Sequence, residues 1–342
     1  MSAHEDGPSL AVVGGGIAGV LLTIALQKHC PQFPITLYES ASAFGEIGAG
    51  VGFQPVMVRT MALIDPRIAS AFENCIKGNE ETDPPIWFTV RVGDTRKKGV
   101  VVGEEVFKIP SRKGPRGGVH RAHFLAELVK LIPEGTAKFG KRVIDVKRTE
   151  EGEALLKFAD GMVAFSSRPT WEDPNWVVAT SKEDMLNDYE HWGPKIRALM
   201  ENVQSADIWA LFNMPPASTY YRVDPLLCLV GDAAHASTPH QGSGAGMCVE
   251  DAYILSQVLA QCQSKDDIGA AFKAYDAVRR PRTQKLVKTS KEAGMLWEFE
   301  GEGVGDDLKA FEENAKTRMS WIWDHDISVD LKQAQSVMSE GS

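Results

Sequence analysis

Apolar positions along this chain follow two periods, and the change from one to the other marks its elements. Ser9 to Val13 is a short apolar run that ends on glycines, as a buried strand does. Ile17, Val20, Leu21, Ile24 and Ala25 then recur at helical spacing, and that helix must stop before Pro31 and Pro34. Ile35 to Tyr38 reads as a second strand, ending at Glu39. Strand, glycine turn, helix, strand is how a doubly wound α/β domain opens.

From Ile86 to Ile109 the pattern becomes alternating and Val-rich, broken at Gly93-Asp94 and Gly103. That predicts antiparallel hairpins in a separate layer. Helical spacing returns from Ala122 to Leu131. Lys141 to Val146 and Ala154 to Phe158 pair as a predicted hairpin, followed by an Asp160-Gly161 turn. A helix is expected over Lys182 to Trp192 and a buried strand over Leu226 to Val230. Long helices follow over Gly244 to Cys262 and Ile268 to Ala293, and a packed final helix carries Trp321 and Trp323.

With 342 residues, 43% hydrophobic and 24% charged, the chain has enough apolar surface for one large or two ordinary domains. Its net charge of -9 argues against a nucleic-acid partner, which needs a basic face. The local clusters Arg96-Lys97-Lys98 and Arg112, Lys113, Arg116 read as solvated loop charges. Five cysteines form no CxxC pair and no metal-ligand spacing, which fits a reducing, cytoplasmic setting. Leu10 to Leu26 is almost wholly apolar, but glycines interrupt it and acidic residues precede it, so no membrane span is expected. Nothing in the sequence sets the oligomeric state.

Two constellations carry candidate chemistry. In the first, Gly14-Gly15-Gly16-Ile17-Ala18-Gly19 lies between the first strand and helix, with Glu39 twenty residues beyond Gly19. Gly14 permits a tight turn, Gly16 lets a pyrophosphate approach the backbone, and Gly19 lets helix and strand pack closely. The helix N-terminus offers free N–H groups, and Glu39 would accept hydrogen bonds from ribose hydroxyls. In the second, Gly231-Asp232-Ala233-Ala234-His235 follows a strand and leads to Pro239, Gly242, Gly244, Gly246 and Glu250-Asp251-Ala252. Asp232, His235 and Ser237 are too close in sequence to converge as a hydrolase triad. His120 and His123 lack an evident third metal ligand, so no metal is expected.

The second constellation resembles the FAD-dependent class A aromatic hydroxylases, in particular the salicylate-hydroxylase-like group. The resemblance implies noncovalent FAD, with Asp232 on its ribityl chain and Ala245 on the turn facing the flavin. It also implies Gly52, in the run Phe44 to Gly52, near FAD, Arg121 in contact with FAD, and Arg279-Arg280-Pro281-Arg282 as a basic turn. Activity would consume NADH or NADPH and O₂ to hydroxylate a small aromatic substrate. A flavin-dependent oxidase on the same fold, or a non-catalytic product of a truncated gene, are the alternatives.

The resemblance breaks after Gly161. There the family continues into an inner strand of the parallel sheet, with a Gly-Ala-Asp-Gly motif, and most of the substrate-domain sheet comes later. Here Met162 to Trp171 already resembles sequence far downstream, so roughly 80–100 residues are absent. Ala159-Asp160-Gly161 reads as a hairpin turn and not as a degenerate copy of that motif. The neighbours of the lost strand are expected to be left unpaired unless another segment, Met162 to Phe165 being nearest, fills the gap.

The expected fold is α/β: a Rossmann-like FAD-binding domain (8–80, 111–161 and 225–300), a reduced antiparallel-sheet substrate domain (81–110 and 162–224) and a C-terminal helical segment (301–342). Substrate-holding residues of the family lie largely in the absent block, so the sequence names no catalytic residue.

Overall fold

The computed structural model describes residues 8–45, 50–76, 85–93, 101–148, 154–158, 177–203, 206–209 and 211–340. The Gly161–Met162 junction, the clusters at 96–98 and residues 46–49 of the glycine-rich run lie outside them. β1 (Leu10–Val13) runs parallel to β2 (Ile35–Tyr38), with Leu10 opposite Ile35 and Val13 opposite Tyr38. A parallel pair needs a crossover, and α1 (Ile17–His29) supplies it, burying Val20, Leu21, Ile24 and Ala25.

Next come β3 (Gly50–Phe53) and two helices that each begin on proline, α2 (Pro55–Ile64) and α3 (Pro66–Ile76). Proline suits a first helical position, where its missing N–H costs nothing. β4 (Ile86–Arg91) and β5 (Glu105–Pro110) form an antiparallel hairpin. β6 (Gly117–His120) pairs antiparallel with β3 and leads directly into α4 (Arg121–Val129). The short β7 (Ala137–Lys138) then completes a parallel sheet of order β1-β2-β7.

β8 (Val143–Arg148) and β9 (Ala154–Phe158) pair as the predicted hairpin. β10 (Val177–Thr180) is followed by α5 (Lys182–Asp188), the expected helix ending four residues early, and by α6 (Pro194–Glu201), which was not expected. β11 (Ala206–Trp209) pairs back onto β10. β12 (Tyr221–Val223) and β13 (Leu226–Cys228) form a hairpin, followed by the single turn α7 (Asp232–His235) and a 3₁₀ turn at Pro239–Gln241. The rest is helical: α8 (Gly244–Leu259), α9 (Ile268–Trp297), α10 (Leu308–Thr317), α11 (Ser320–Trp323) and α12 (Ile327–Glu340). None of the described helices is long and apolar enough to cross a membrane.

The core lies where α1, α2, α8, α9 and α12 meet, around fully buried Val20, Met61, Ile254 and Tyr275. One face of β1, bearing Leu10 and Val12, packs into this core. The other bears Ala11 and Val13, and Val13 is 51% exposed. Among the described residues β1 has β2 as its only partner, and β13 has only β12. A doubly wound sheet normally buries its first strand on both faces. Among the described residues, β1 is thus left with one exposed face and one unpaired edge, as the expected absence of an inner strand would leave it. Among the described residues β4–β5 and β10–β11 are separate two-stranded sheets, with Leu211 and Val101 59% and 68% exposed.

Arg279 to Arg282, expected as a basic turn, lies inside α9, which continues through Pro281. The arginines earn no turn because their partners lie across the core. Arg279, fully buried, donates to Glu250 (Nη1–Oε2 2.6 Å) and Asp251 (Nε–Oδ1 2.9 Å) of α8 and to Asp330 of α12 (3.5 Å). Arg282 donates twice to the Glu250 carboxylate, at 2.8 and 2.9 Å.

Candidate cofactor and substrate site

At the carboxyl end of β1 the chain turns on Gly14, whose φ of 100° is a left-handed conformation that favours glycine. Its N–H donates to the Tyr38 carbonyl at 2.8 Å, tying the turn to β2. A Cβ on Gly19 would stand 1.9 Å from the Gly14 carbonyl oxygen, so no other residue allows α1 to start so close to the strand. Gly16 is the N-cap of α1 and has no side chain to occupy the free N–H groups there.

Glu39 sits across this turn. Its Oε2 accepts the Gly15 N–H at 2.5 Å, and its Oε1 accepts the Ala41 N–H at 2.6 Å and the Ser40 hydroxyl at 3.0 Å. Partial burial alone would raise its pKa, but hydrogen bonds from Ala41, Gly15 and Ser40 outweigh that and lower it. Glu39 therefore presents an ionised acceptor beside the glycine turn at neutral pH.

A second turn meets the first. Gly231 has φ of 59°, and a Cβ there would come within 2.6 Å of the Ala18 Cβ. The chain can then pass over the start of α1 and place Asp232, exposed, at the first position of α7. The Gly231 N–H donates to Asp251 Oδ2 at 3.0 Å, and the same oxygen meets His235 Nε2 at 2.6 Å. His235 is thus a buried support of the turn, bonded to Asp251 and not to Asp232. Burial would raise Asp251, but His235 and Arg279 hold it well below the usual carboxylate range.

Between the two turns lies a cavity of about 470 Å³. Of the residues singled out in the sequence, Gly14, Gly16, Gly19, Gly52, Arg121, Asp232 and Ala245 all line it. Glu39 does not; it bonds Gly15, which stands between Gly14 and Gly16 in the chain. Gly52 comes from β3, where a Cβ would press within 2.9 Å of the Trp87 ring, and Arg121 opens α4. The His120 and His123 rings lie 4.6 Å apart, and no cluster able to hold a metal occurs among the described residues.

Pro239 and Gly242 line this cavity and also a smaller one, of about 190 Å³, on the far side of the 3₁₀ turn. The smaller cavity is walled by Trp87 and Phe88 of β4, Ile109 of β5 and Trp297 of α9, with His240 and Arg318 as its ionisable residues. No pattern in the sequence marks it as a unit, because its walls come from five distant segments. The isolated signal was the aromatic pair at the start of β4.

A glycine-lined cavity fed by a strand–turn–helix, opposed by a second glycine-rich helix start, is built for a dinucleotide. Residues 194–290 match the model of the family described as FAD binding domain. The chain is 30% identical to a salicylate hydroxylase of Pseudomonas putida, covering 98% of this chain and 96% of that one. The chain belongs to the FAD-dependent aromatic hydroxylases.

This monooxygenase is also 29% identical to 6-methylsalicylate 1-monooxygenase of Aspergillus terreus, over 97% of its own length and 92% of that protein's. Its fold superposes on the structure described as a salicylate hydroxylase substrate complex with a TM-score of 0.80 at 25% identity, covering 96% and 98% of the two chains. The alignment with the Pseudomonas protein is 433 residues long, against the monooxygenase's 342, so the relative carries a block with no counterpart here.

The cavity fits FAD. It has room where side chains would collide, N–H groups at two helix starts, and acceptors in Glu39 and Asp232.

Proposed function

We propose that this monooxygenase uses NADH or NADPH and O₂ in the hydroxylase chemistry of its family, directed at a small phenolic acid, with oxygen transfer impaired by the block that its relative carries and it lacks. The observation that carries this reading is the shared wall: the aromatic cavity and the glycine cradle both abut Pro239 and Gly242. A ring held in the smaller cavity lies next to whatever occupies that end of the larger one. Bound FAD supplies the redox chemistry, passing electrons from NAD(P)H to O₂.

The protein's part is to bind, orient and exclude water. Gly14, Gly16 and Gly19 give the pyrophosphate backbone N–H groups and the positive end of α1. Glu39 accepts the ribose hydroxyls, exchanging its bond to Gly15 for them. Asp232 accepts from the ribityl hydroxyls. Ala245, Gly52 and the Pro239 to Gly244 turn flank the flavin, and Arg121 faces it from α4. FAD is held without a covalent link, and the salicylate-type relatives support a phenolic acid as substrate.

Titrating hydroxybenzoates into the FAD-loaded protein while following NADH and NADPH oxidation tests this. The expected result is stimulation by at least one hydroxybenzoate; no response to any of them would contradict the substrate class. Glu39→Arg should weaken FAD binding about tenfold or more, because a cation replaces an ionised acceptor. Unchanged affinity, read from FAD fluorescence on titration, would remove Glu39 from the site.

A further inference from the structure

We propose that Arg318 sets the substrate's charge, binding a ring carboxylate in the aromatic cavity; this rests on reading that cavity as the substrate site. At about 190 Å³ the cavity has room for one substituted ring, since a cavity of roughly 150 Å³ takes benzene. Trp87, Phe88, Ile109 and Trp297 give the ring apolar walls. Among the described residues, Arg318 is the one permanently charged residue lining the cavity, and no carboxylate lines it.

Buried cations are ordinarily paired, and this protein follows that rule elsewhere. Arg279 and Arg282 each bond carboxylates. Arg318 does not. Its Nη1 donates to the Asn314 side-chain oxygen at 2.9 Å and its Nη2 to the Thr289 carbonyl at 3.2 Å, both neutral acceptors. These bonds fix the guanidinium, while its Nε is buried with no acceptor. Burial lowers its pKa, and Glu292 opposes this only in part.

His240 also lines the cavity, with its ring packed against α9. His240 Nδ1 is also buried without a partner, and its ring lies so close over Gly294 of α9 that a Cβ there would stand 2.8 Å from it. A held cation bonded only to neutral acceptors, a neighbouring imidazole and aromatic walls together match an aromatic carboxylate. A neutral phenol would leave the charge uncompensated. A hydrogen bond between charged groups makes a difference of roughly ten- to a hundred-fold in affinity.

The test uses the FAD-loaded protein and three probes: 2-hydroxybenzoate, its methyl ester, and phenol. Binding is read from tryptophan fluorescence, with retained FAD and the melting temperature as controls on folding. The wild-type protein should bind 2-hydroxybenzoate at least about tenfold tighter than the methyl ester, which keeps the ring and loses the charge. Arg318→Gln should remove that preference while leaving phenol binding and FAD affinity unchanged, and Arg318→Lys should restore part of it. Equal wild-type affinity for acid and ester, or an unchanged preference in Arg318→Gln, would overturn the role of Arg318 and leave the cavity reading standing. Binding of none of the three probes by the wild-type protein would overturn the cavity reading and the proposal with it. The acid–ester comparison needs no variant, so the proposal stays testable even if Arg318→Gln fails to fold.

Discussion

Arg279→Leu is expected to cost about 3–5 kcal/mol of stability, enough to leave little folded protein at physiological temperature. The arginine is fully buried, and leucine would leave Glu250 and Asp251 as buried charges with half their compensation gone. Burial would raise Glu250, but Arg279 and Arg282 bring it to about 2. A carboxylate whose folded pKa is depressed adds stability above its unfolded value and loses it as pH falls toward the folded one. The network's contribution should therefore be full above about pH 4.5 and decline down to about pH 2. The same variant should weaken FAD binding, since Asp251 also holds the Gly231 N–H that positions Asp232. Urea denaturation checks the first effect. A loss below about 1 kcal/mol would mean the arginine is dispensable.

The second large effect concerns what becomes of oxygen. FAD-loaded protein is expected to oxidise NAD(P)H slowly and to release nearly all the oxygen it consumes as H₂O₂, whichever phenolic acid is offered. Transfer of oxygen to a ring requires a site that is closed to water and a ring held still. Here, among the described residues, β4–β5 and β10–β11 are separate two-stranded sheets, Leu211 and Val101 are exposed, and one face of β1 is open. In the uncoupled reaction NAD(P)H, a proton and O₂ give NAD(P)⁺ and H₂O₂. Catalase added in an oxygen-electrode cell would then return about half the oxygen consumed, because two H₂O₂ yield one O₂. Stoichiometric hydroxylated product would show that the short chain still closes its site.

The cofactor half of this protein was legible because its signals are local. A strand, a glycine turn, a helix at 3.6 spacing and a carboxylate at the end of the next strand all fall between Ser9 and Glu39. Gly231 to Ala252 is equally continuous, so the residues expected to act together also line one cavity. Where partners are remote the sequence said less. β3 and β6 were missed because Gly50–Phe53 and Gly117–His120 are glycine-rich and show no alternation. α2 and α3 went unread although Pro55 and Pro66 mark their starts. Arg279 to Arg282 looked like a turn because Pro281 usually ends a helix, yet α9 tolerates it while its arginines bind carboxylates on α8 and α12. The aromatic cavity draws on β4, β5, the Pro239 turn, α9 and Arg318, and no spacing rule joins those segments.

We propose that Gly14 to Gly19 and Glu39 hold the adenosine end of FAD while Asp232 to Ala245 holds the flavin end. Titrating the apoprotein with FAD and, separately, with FMN tests it most directly, because FMN has the flavin end alone. The account predicts FAD binding at least about tenfold tighter than FMN, with that advantage lost in Glu39→Arg. Equal affinity for the two flavins in the wild-type protein would contradict it.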